Sequence, residues 1–388
     1  MKFGAAAVGD AAQLGDLAAI VRAGCDNGDS LVVVCSALAG ITDALIDAVR
    51  SAADGVEDKV ELARRELWSR HRALAEALVT DEWEREALYR EWADLLKTFD
   101  RYTRAIATLL TLPSRTMDTV AALGERFVAH LVAVILRLAG VPAQMIDAAE
   151  LIVTDDHFGN ARPDEQETVK RTRARLQPLM KARIVPVVTG YLGATRDGIV
   201  TTLGRGGGDY SATLIGAALQ ASEVCLWTDV NGILTADPKY VHDARTLPEI
   251  SFADAAEIAA LGAELFHPHT LGPVASRGIT LHIRNIEHPD HQGTRVVVYP
   301  QTPARAARAV ISSGALSLLS VAARSHAEDW GPALTRMAEA NVEILSFTQS
   351  LSERSLTLAV RANDAPFARE CLETALLAND DSDAAPHV

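Results

Sequence analysis

The chain has 388 residues, 48% of them hydrophobic and 23% charged, which is typical of a globular protein with two or three domains. Its formal net charge of −14 argues against a nucleic-acid partner. No stretch predicts a membrane span or a signal peptide, so no membrane partner is expected. Four scattered cysteines without a CxxC pair predict a reduced, cytoplasmic setting.

Predicted strands and helices alternate along the chain, which favours a mostly parallel α/β sheet. Residues 1–8 are strand-like, and 143–154 predicts a strand pair. Short apolar runs predict buried strands at 30–36, 184–189, 224–227 and 280–285. Apolar residues at helical spacing predict helices at 11–23, 123–138, 165–181, 212–219 and 252–262.

The stretch from about 45 to 112 is rich in Glu, Arg, Ala and Leu at helical spacing. It predicts a helical insertion rather than a catalytic segment. Its aromatic residues are expected to be contacts between helices in the core. They are Trp68, Trp83, Tyr89 and Trp92.

The most informative stretch is the glycine-rich run 201–211, TTLGRGGGDYS. Glycines let a backbone approach a ligand, and the N–H groups at a helix start favour anions. Arg205 can bind a carboxylate or phosphate through two hydrogen bonds, and Asp209 can hold Mg²⁺ or orient a cation. The run does not fit the P-loop pattern, and a tight surface turn is the alternative.

Polar residues also follow predicted strands. The strand at 30–36 runs into a turn at Gly40 and then a helix, an arrangement that builds ligand sites in parallel sheets. Thr228, Asp229 and Asn231 follow the strand at 224–227. The alternatives are a plain connection in the first case and ordinary turn chemistry in the second.

Two other polar features have simpler explanations. Glu125 lies near a predicted helix start, where a carboxylate interacts favourably with the helix dipole. His267 and His269 resemble a metal-binding pair, but no third ligand lies at a useful spacing, so no metal site is predicted.

The pattern changes near Pro300. A strand at 315–323, a helix at 330–340, strands at 342–348 and 354–360 and a helix at 365–377 follow one another. This β-α-β-β-α order predicts a ferredoxin-like unit. The polar residues 379–388 predict a disordered tail.

An ordered series of motifs resembles the aspartate kinases of the amino acid kinase superfamily, and the C-terminal unit resembles their ACT regulatory domain. The motifs are KFG at 2–4, SALAGITD at 36–43, GER at 124–126, LIVTDDHFGNARP at 151–163, TLGRGGGDYSA at 202–212, WTDVNGILTADP at 227–238 and HP at 267–268. The resemblance implies a three-layer α/β/α kinase domain at 1–298, an ACT-like α+β domain at 312–378, and a homodimer formed through the ACT-like region.

The resemblance also implies transfer of the ATP γ-phosphoryl group, with Mg²⁺, to the side-chain carboxylate of L-aspartate. Lys2 matches the lysine that stabilises the transferring group, and Asp209 the aspartate that organises this lysine. Substrate-binding positions are Ser36, Thr42, Glu125 (facing the ammonium), Arg205 (facing the carboxylate), Gly207 and Gly208. Nucleotide-binding positions are Gly4, Gly206, Thr228, Asp229, Leu234 and Asp237.

Several positions depart from the family pattern. Its first loop usually reads KFGGTS, but here Ala5, Ala6 and Ala7 follow KFG. Its central loop usually ends GGSD, but here Gly208 replaces the serine. Glu264 replaces a lysine expected to approach ATP phosphates. An aromatic residue of the nucleotide segment is Leu234, and about one ACT unit is present where two are usual.

Three hypotheses follow. The chain is a working kinase for aspartate or a close analogue, an enzyme that retains the amino-acid pocket but has changed its chemistry or phosphate donor, or a non-catalytic protein that senses an amino acid or pairs with an active subunit. The retained Lys2, Glu125, Arg205 and Asp209 favour the first. The alanine loop and Glu264 favour the others.

Overall fold

The computed structural model describes residues 1–260, 268–301, 309–310, 316–322, 331–340, 342–350 and 355–380. They fall into two compact units. Among the described residues, the first unit contains 1–259 and 268–310, and most of the second lies in 316–380.

The first unit is built on an eight-stranded sheet. The strands of this unit are β1 (Lys2–Phe3), β2 (Val33–Cys35), β3 (Ala143–Ile146), β4 (Val153–Thr154), β5 (Val185–Thr189), β6 (Leu192–Thr195), β7 (Val200–Thr202), β8 (Glu223–Thr228), β9 (Glu249–Ser251), β10 (Thr280–Asn285) and β11 (Thr294–Val297). The large sheet has the order β3-β5-β2-β1-β8-β10-β11-β9, and every pairing except β10 with β11 is parallel. The short strands β4, β6 and β7 form a separate small sheet.

Helices flank this sheet. They are α1 (Ala11–Asp26), α2 (Ile41–Ala53), α3 (Glu57–Leu78), α4 (Glu82–Leu109), α5 (Ser114–Ala121), α6 (Leu123–Leu138), α7 (Glu165–Lys181), α8 (Gly207–Leu219), α9 (Phe252–Ala260) and α10 (Gly272–Ala275). The central helix α6 is buried along most of its length, because most of its residues are apolar.

The helical insertion contains α2, α3 and α4, which pack around a cluster of aromatic rings. Trp92 is fully buried, stacks on Phe127 with ring centroids 5.2 Å apart, and donates an indole hydrogen bond to its carbonyl oxygen at 3.1 Å. Trp68 and Tyr89 contact Trp92 as expected. Trp83 is 84% exposed, so its expected role as a core contact is wrong.

The segment Ser114–Leu138 is long and apolar enough to cross a membrane, contrary to the expectation from the sequence. The structure places 83% of its most apolar window inside the fold, as in the core helix of a globular protein. Its apolar character is therefore explained by packing inside the first unit.

Three elements differ from the sequence predictions. The opening strand ends at Phe3, because Ala5–Ala7 form a 3-10 turn. The strands β3 and β4 in the range 143–154 do not pair with each other, because β3 joins β5 in the large sheet and β4 joins β6 in the small one. Helix α8 begins at Gly207 rather than at 212 and includes two of the loop glycines.

The second unit has the predicted order of elements. They are β12 (Leu316–Ala322), α11 (Gly331–Glu339), β13 (Ile344–Ser350), β14 (Ser355–Arg361) and α12 (Ala365–Asp380). The strands form an antiparallel sheet with β14 in the centre, and a small apolar core joins the sheet to both helices. Because α12 continues to Asp380, residues 379–380 are helical and not part of a disordered tail. Residues 381–388 lie outside the described part of the chain.

Candidate functional site

The candidate site lies where β2, β1 and β8 end side by side. Lys2 is the register partner of Val34 on one side and Leu226 on the other. Just beyond the strands, the Ser36 N–H donates to Phe3 O and the Gly4 N–H donates to Trp227 O, both at 3.1 Å. Carboxyl ends of central parallel strands are the usual ligand sites of such sheets.

Lys2 forms an ion pair with Asp209 across this site. Lys2 Nζ lies 2.5 Å from Asp209 Oδ1, and the two side chains are 11% and 14% exposed. Asp209 is in the first turn of α8, whose N-terminal cap is Gly206 with a φ of 72°. This left-handed conformation favours glycine and lets the helix start directly at the site.

Gly208 allows the close approach of the Ser36 and Lys2 side chains to the start of α8. A Cβ at this position would lie 3.1 Å from Ser36 Oγ and 3.4 Å from Lys2 Cε. A serine here, as in the family pattern, would require the Ser36 hydroxyl to move by a few tenths of an ångström. The structure therefore brings Lys2, Ser36, Gly208 and Asp209 together.

Glu125 is a buried carboxyl group beside this cluster. Its side chain lies in the first turn of α6 and is 4% exposed, and Oε1 accepts a hydrogen bond from the Ala37 N–H at 3.3 Å. Within the described residues, Oε2 is buried without a hydrogen-bond partner. Burial raises the pKa of Glu125 to about 8, while the Ala37 N–H and the charges of Arg126 and Lys2 act in the opposite direction.

A buried carboxylate oxygen without a partner is costly, and a cationic ligand would offset the cost. A favourable contact with the helix dipole does not explain this burial. Gly124 keeps Glu125 close to the loop after β2, because a Cβ at Gly124 would lie 2.7 Å from Ala37 Cβ.

Two other predicted substrate residues lie on loops or helix starts. Thr42 is half-buried in the first turn of α2, which is capped by Gly40 with a φ of 78°. Arg205 is exposed just before α8 and forms no ion pair with any residue that the structure describes. A free guanidinium at the mouth of the site is available to an anionic group.

Tyr191 is a site residue that sequence reasoning missed. It follows β5 with a φ of 71°, a conformation that is rare for residues other than glycine. Its ring lies 2.8 Å from where a Cβ on Gly207 would be, and its N–H donates to Ser211 Oγ at 3.0 Å. Burial raises the pKa of Tyr191 to about 12, and the charge of Glu125 acts in the same direction. Gly190 directly before it is the one local signal of a turn, and tyrosine itself is not a residue that favours this conformation.

Asp118 is a second missed residue, with a structural role. It is buried in α5, and its Oδ2 accepts hydrogen bonds from the Gly159 N–H at 2.9 Å and the Thr202 N–H at 2.8 Å. It thereby fastens the 155–160 loop to β7, next to the glycine run. Burial raises the pKa of Asp118, although both hydrogen bonds favour the charged form.

Four of the predicted nucleotide positions lie at the end of β8 or after it, on the other side of Lys2 from β2: Thr228, Asp229, Leu234 and Asp237. The Thr228 hydroxyl donates to Asp229 Oδ1 at 3.1 Å, and Asn285 Nδ2 donates to Asp229 O at 3.2 Å. Asp229 is exposed, while Leu234 and Asp237 are half-buried. Asp237 accepts a hydrogen bond from its own turn, at Lys239 N, so turn chemistry accounts for part of its role.

The sequence profile of the amino acid kinase family matches residues 1–285. The chain is 35% identical over 307 residues to the lysine-sensitive aspartokinase 3 of Escherichia coli K12, and 32% identical over 303 residues to the chloroplastic aspartokinase 3 of Arabidopsis thaliana. These alignments cover 78% and 76% of this chain. The chain belongs to the amino acid kinase family, in its aspartokinase branch.

Solved aspartokinases share the fold. E. coli aspartokinase III in complex with lysine and aspartate superposes with a TM-score of 0.78 at 30% identity, covering 92% of this chain and 78% of that one. Its complex with aspartate and ADP gives 0.76 at 31% identity, covering 93% and 78%. The predicted α/β fold with a C-terminal α+β region is confirmed. The chain spans 64% and 52% of the two curated aspartokinases named above.

The loop after β1 in this chain lacks the polar side chains of the family pattern. Ala5–Ala7 form a 3-10 turn closed by a hydrogen bond from the Ala7 N–H to Gly4 O at 2.9 Å, and Ala7 is fully buried. The loop thus offers backbone groups but no hydroxyl. Gly4 of the family pattern is retained in this chain. A Cβ at this position would lie 3.2 Å from Lys2 Nζ. Glu264 and His267 lie outside the described residues.

Proposed function

We propose that this chain transfers the γ-phosphoryl group of ATP to the side-chain carboxylate of L-aspartate or a close analogue. The observation that carries the proposal is the ion pair between Lys2 and Asp209 beside the buried Glu125, whose Oε2 has no partner among the described residues. A phosphoryl-transfer site needs a fixed cation and an oriented acceptor more than a reactive protein group.

The amino acid would be held by charge at both ends. Its ammonium group would pair with Glu125, and this pairing would favour ionisation of a carboxyl group whose pKa burial raises to about 8. Its α-carboxylate would be bound by the exposed guanidinium of Arg205. The side-chain carboxylate would then point towards Lys2, between Ser36 and the start of α8.

Lys2 would stabilise the negative charge that develops on the phosphoryl group during transfer. Its ammonium is already oriented by Asp209, so little reorganisation is needed in the transition state. The N–H groups at the start of α8 would contribute in the same direction.

Two carboxylates of the chain are candidate ligands for Mg²⁺ at this site. Asp209 is engaged by Lys2, and the exposed Asp229 directly follows β8. Mg²⁺ commonly uses one or two carboxylates together with substrate phosphates and water. We propose Asp209 and Asp229 as the residues nearest to this ion, which would neutralise phosphate charge.

The test is ADP release by the purified full chain with ATP, Mg²⁺ and a panel of acidic amino acids, with the acyl phosphate trapped as hydroxamate. We expect ADP release that depends on aspartate and equals hydroxamate formation. Equal ADP release with and without an amino acid would contradict the proposal. Glu150→Gln, which changes an exposed carboxylate, is the matched control for Glu125→Gln.

The alanine loop favours a second candidate, an altered use of the nucleotide or none. Without hydroxyls on Ala5, Ala6 and Ala7, the loop offers only backbone groups to a triphosphate. Isothermal titration with ATP–Mg²⁺, with and without aspartate, distinguishes the candidates. If the chain binds aspartate but does not bind ATP–Mg²⁺, the result would support altered chemistry or a binding protein that senses an amino acid.

We also propose that two copies pair through the second unit. Phe347 on β13, an aromatic residue of the kind enriched in protein interfaces, is 71% exposed, and Leu318 on β12 is 72% exposed. Light scattering coupled to size-exclusion chromatography should show a dimer that Phe347→Asp weakens. A wild-type monomer at all concentrations would contradict this.

A further inference from the structure

The first unit holds a second cluster of chemically active side chains, away from the candidate kinase site. It consists of Glu223 and Cys225 on β8 and His282 on β10. Side chains alternate between the two faces of a sheet, and Lys2 is the register partner of Leu226. Glu223 and Cys225 therefore lie on the opposite face of the sheet from Lys2.

The cluster is preorganised by the pairing of β8 with β10. Cys225 and His282 are direct register partners, and Glu223 lies two residues earlier on the same face. One ligand atom from each residue lies within 4.8 Å of the other two. Cys225 is buried, His282 is half-buried and Glu223 is exposed, so an ion could enter from the side of Glu223.

The hydrogen bonding of His282 is the second observation that points to a cation. Its Nε2 lies 2.5 Å from Gln292 O, an acceptor that requires the proton to be on Nε2. Its Nδ1 then faces the Glu223 carboxylate at 3.4 Å. Two acceptors face each other there unless a proton or a metal ion lies between them. Metal-binding histidines typically donate their other N–H to a carbonyl in this way.

We propose that Glu223, Cys225 and His282 bind one divalent cation of the zinc class. A thiolate, an imidazole and a carboxylate form a donor set that suits Zn²⁺ and is unsuitable for Mg²⁺ or Ca²⁺. The charges of one thiolate and one carboxylate balance the ion, and water would complete the tetrahedron on the open side. The ion would join β8 to β10.

Two arginines near this cluster interact with groups outside it. The Arg284 guanidinium stacks over the Trp227 ring at 4.6 Å, and Arg295 pairs with Glu249 at 3.4 Å. Both still lower the pKa of Glu223 through their charges, after the larger effect of its hydrogen bond with His282. Binding would displace the thiol proton of Cys225 into solvent as the Zn–S bond forms.

The test uses the tag-free full chain after treatment with a chelator. Zn²⁺ is titrated by calorimetry, and Co²⁺ is added in a parallel experiment to observe the sulfur-to-cobalt charge-transfer absorption. We expect one ion per chain in the wild type. Cys225→Ser and His282→Gln should each weaken Zn²⁺ binding about 10-fold or more. Cys225→Ser should also abolish the thiolate absorption.

Cys371→Ser is the matched control, because Cys371 is also a buried free cysteine but lies in the second unit. It should bind both ions like the wild type. If Cys225→Ser fails to fold by circular dichroism, Glu223→Gln replaces it, since this exposed position tolerates substitution, and about a 10-fold loss is again expected. Absence of Zn²⁺ binding, or equal binding by all variants, would overturn the proposal and leave His282 and Glu223 as an ion pair.

Discussion

The two halves of the candidate site differ in how they hold polar groups. On the side proposed to hold the amino acid, Glu125 is buried and the ion pair of Lys2 with Asp209 is largely shielded from solvent. On the side proposed to hold the nucleotide, Asp229 is exposed and Ala5–Ala7 carry no polar side chains. Electrostatic interactions are stronger where water is excluded. Amino-acid recognition should therefore depend on a few side chains, and nucleotide binding on backbone groups and exposed residues.

The largest effect is expected from Lys2→Met. Loss of the oriented cation should reduce the rate of phosphoryl transfer about 1000-fold, while aspartate binding changes little. The rate of ADP release measures the first effect, and calorimetry with aspartate measures the second. Lys170→Met, on an exposed helix surface, should retain the wild-type rate. A Lys2→Met enzyme with a normal rate would show that Lys2 only stabilises the fold.

Glu125→Gln should have the next largest effect and should be confined to the amino-acid side. The neutral amide cannot pair with an ammonium group by charge, so the Kd for aspartate should rise about 100-fold, equivalent to about 2.7 kcal/mol. Nucleotide affinity should be unchanged by calorimetry. Similar losses for both ligands would mean that the two sides are coupled rather than separate.

The same variant should change how stability depends on pH. Glu125 has a folded pKa of about 8 against an ordinary value of 4.5. Between these values the unfolded chain loses the proton that the folded chain keeps, so wild-type stability falls as pH rises from about 4.5 to 8, by up to about 4 kcal/mol.

Glu125→Gln cannot ionise, so this loss should be absent in its urea unfolding curves at pH 5 and pH 8. Without aspartate, the variant should be more stable than the wild type at pH 8. Parallel pH profiles for the two proteins would show that Glu125 is already ionised in the folded chain.

A smaller effect is expected from Arg205→Ala. Arg205 is exposed, and solvent weakens its interaction with a substrate carboxylate. The Kd for aspartate should rise about 10-fold, with a smaller loss for Arg205→Lys, which keeps the charge but not the paired hydrogen bonds. Arg196→Ala, an exposed arginine paired with Asp164, is the control. An effect on ATP alone would place Arg205 on the nucleotide side.

The smallest effect is a gain from restoring polarity to the first loop. Ala5→Gly with Ala6→Thr should tighten ATP binding about 10-fold, because one added hydroxyl can make one or two hydrogen bonds to phosphate. Ala7 is left unchanged because it is fully buried. Ala12→Ser, exposed at the start of α1, is the control. No gain would mean that the loop does not contact the nucleotide.

Much of the fold could be predicted from local patterns. The bounds of α6, α7 and β10 match the sequence predictions residue for residue, because apolar periodicity and flanking turns mark both ends of each element. The glycine run was recognised in the same way, because its spacing is unusual within a single short segment. The order of elements in the second unit also followed from local pattern.

Other features depend on residues that are distant in the chain. The two-residue strand β1 is too short for any periodicity, and it exists because β2 and β8 both pair with it. Trp83 and Trp92 lie on opposite faces of α4, and only the packing of α4 against its neighbours decides that the face of Trp92 is the buried one. The left-handed Tyr191 is held by contacts with the glycine loop, which no local pattern predicts.

The sequence by itself determined most of the secondary structure and, through an ordered series of motifs, the family. It did so because these properties depend on spacing and residue type along a short stretch of chain. Tertiary structure alone decided that Glu125 is buried and that Cys225 lies beside His282. These depend on which strands become neighbours in the sheet, and that order is the result of packing the whole domain.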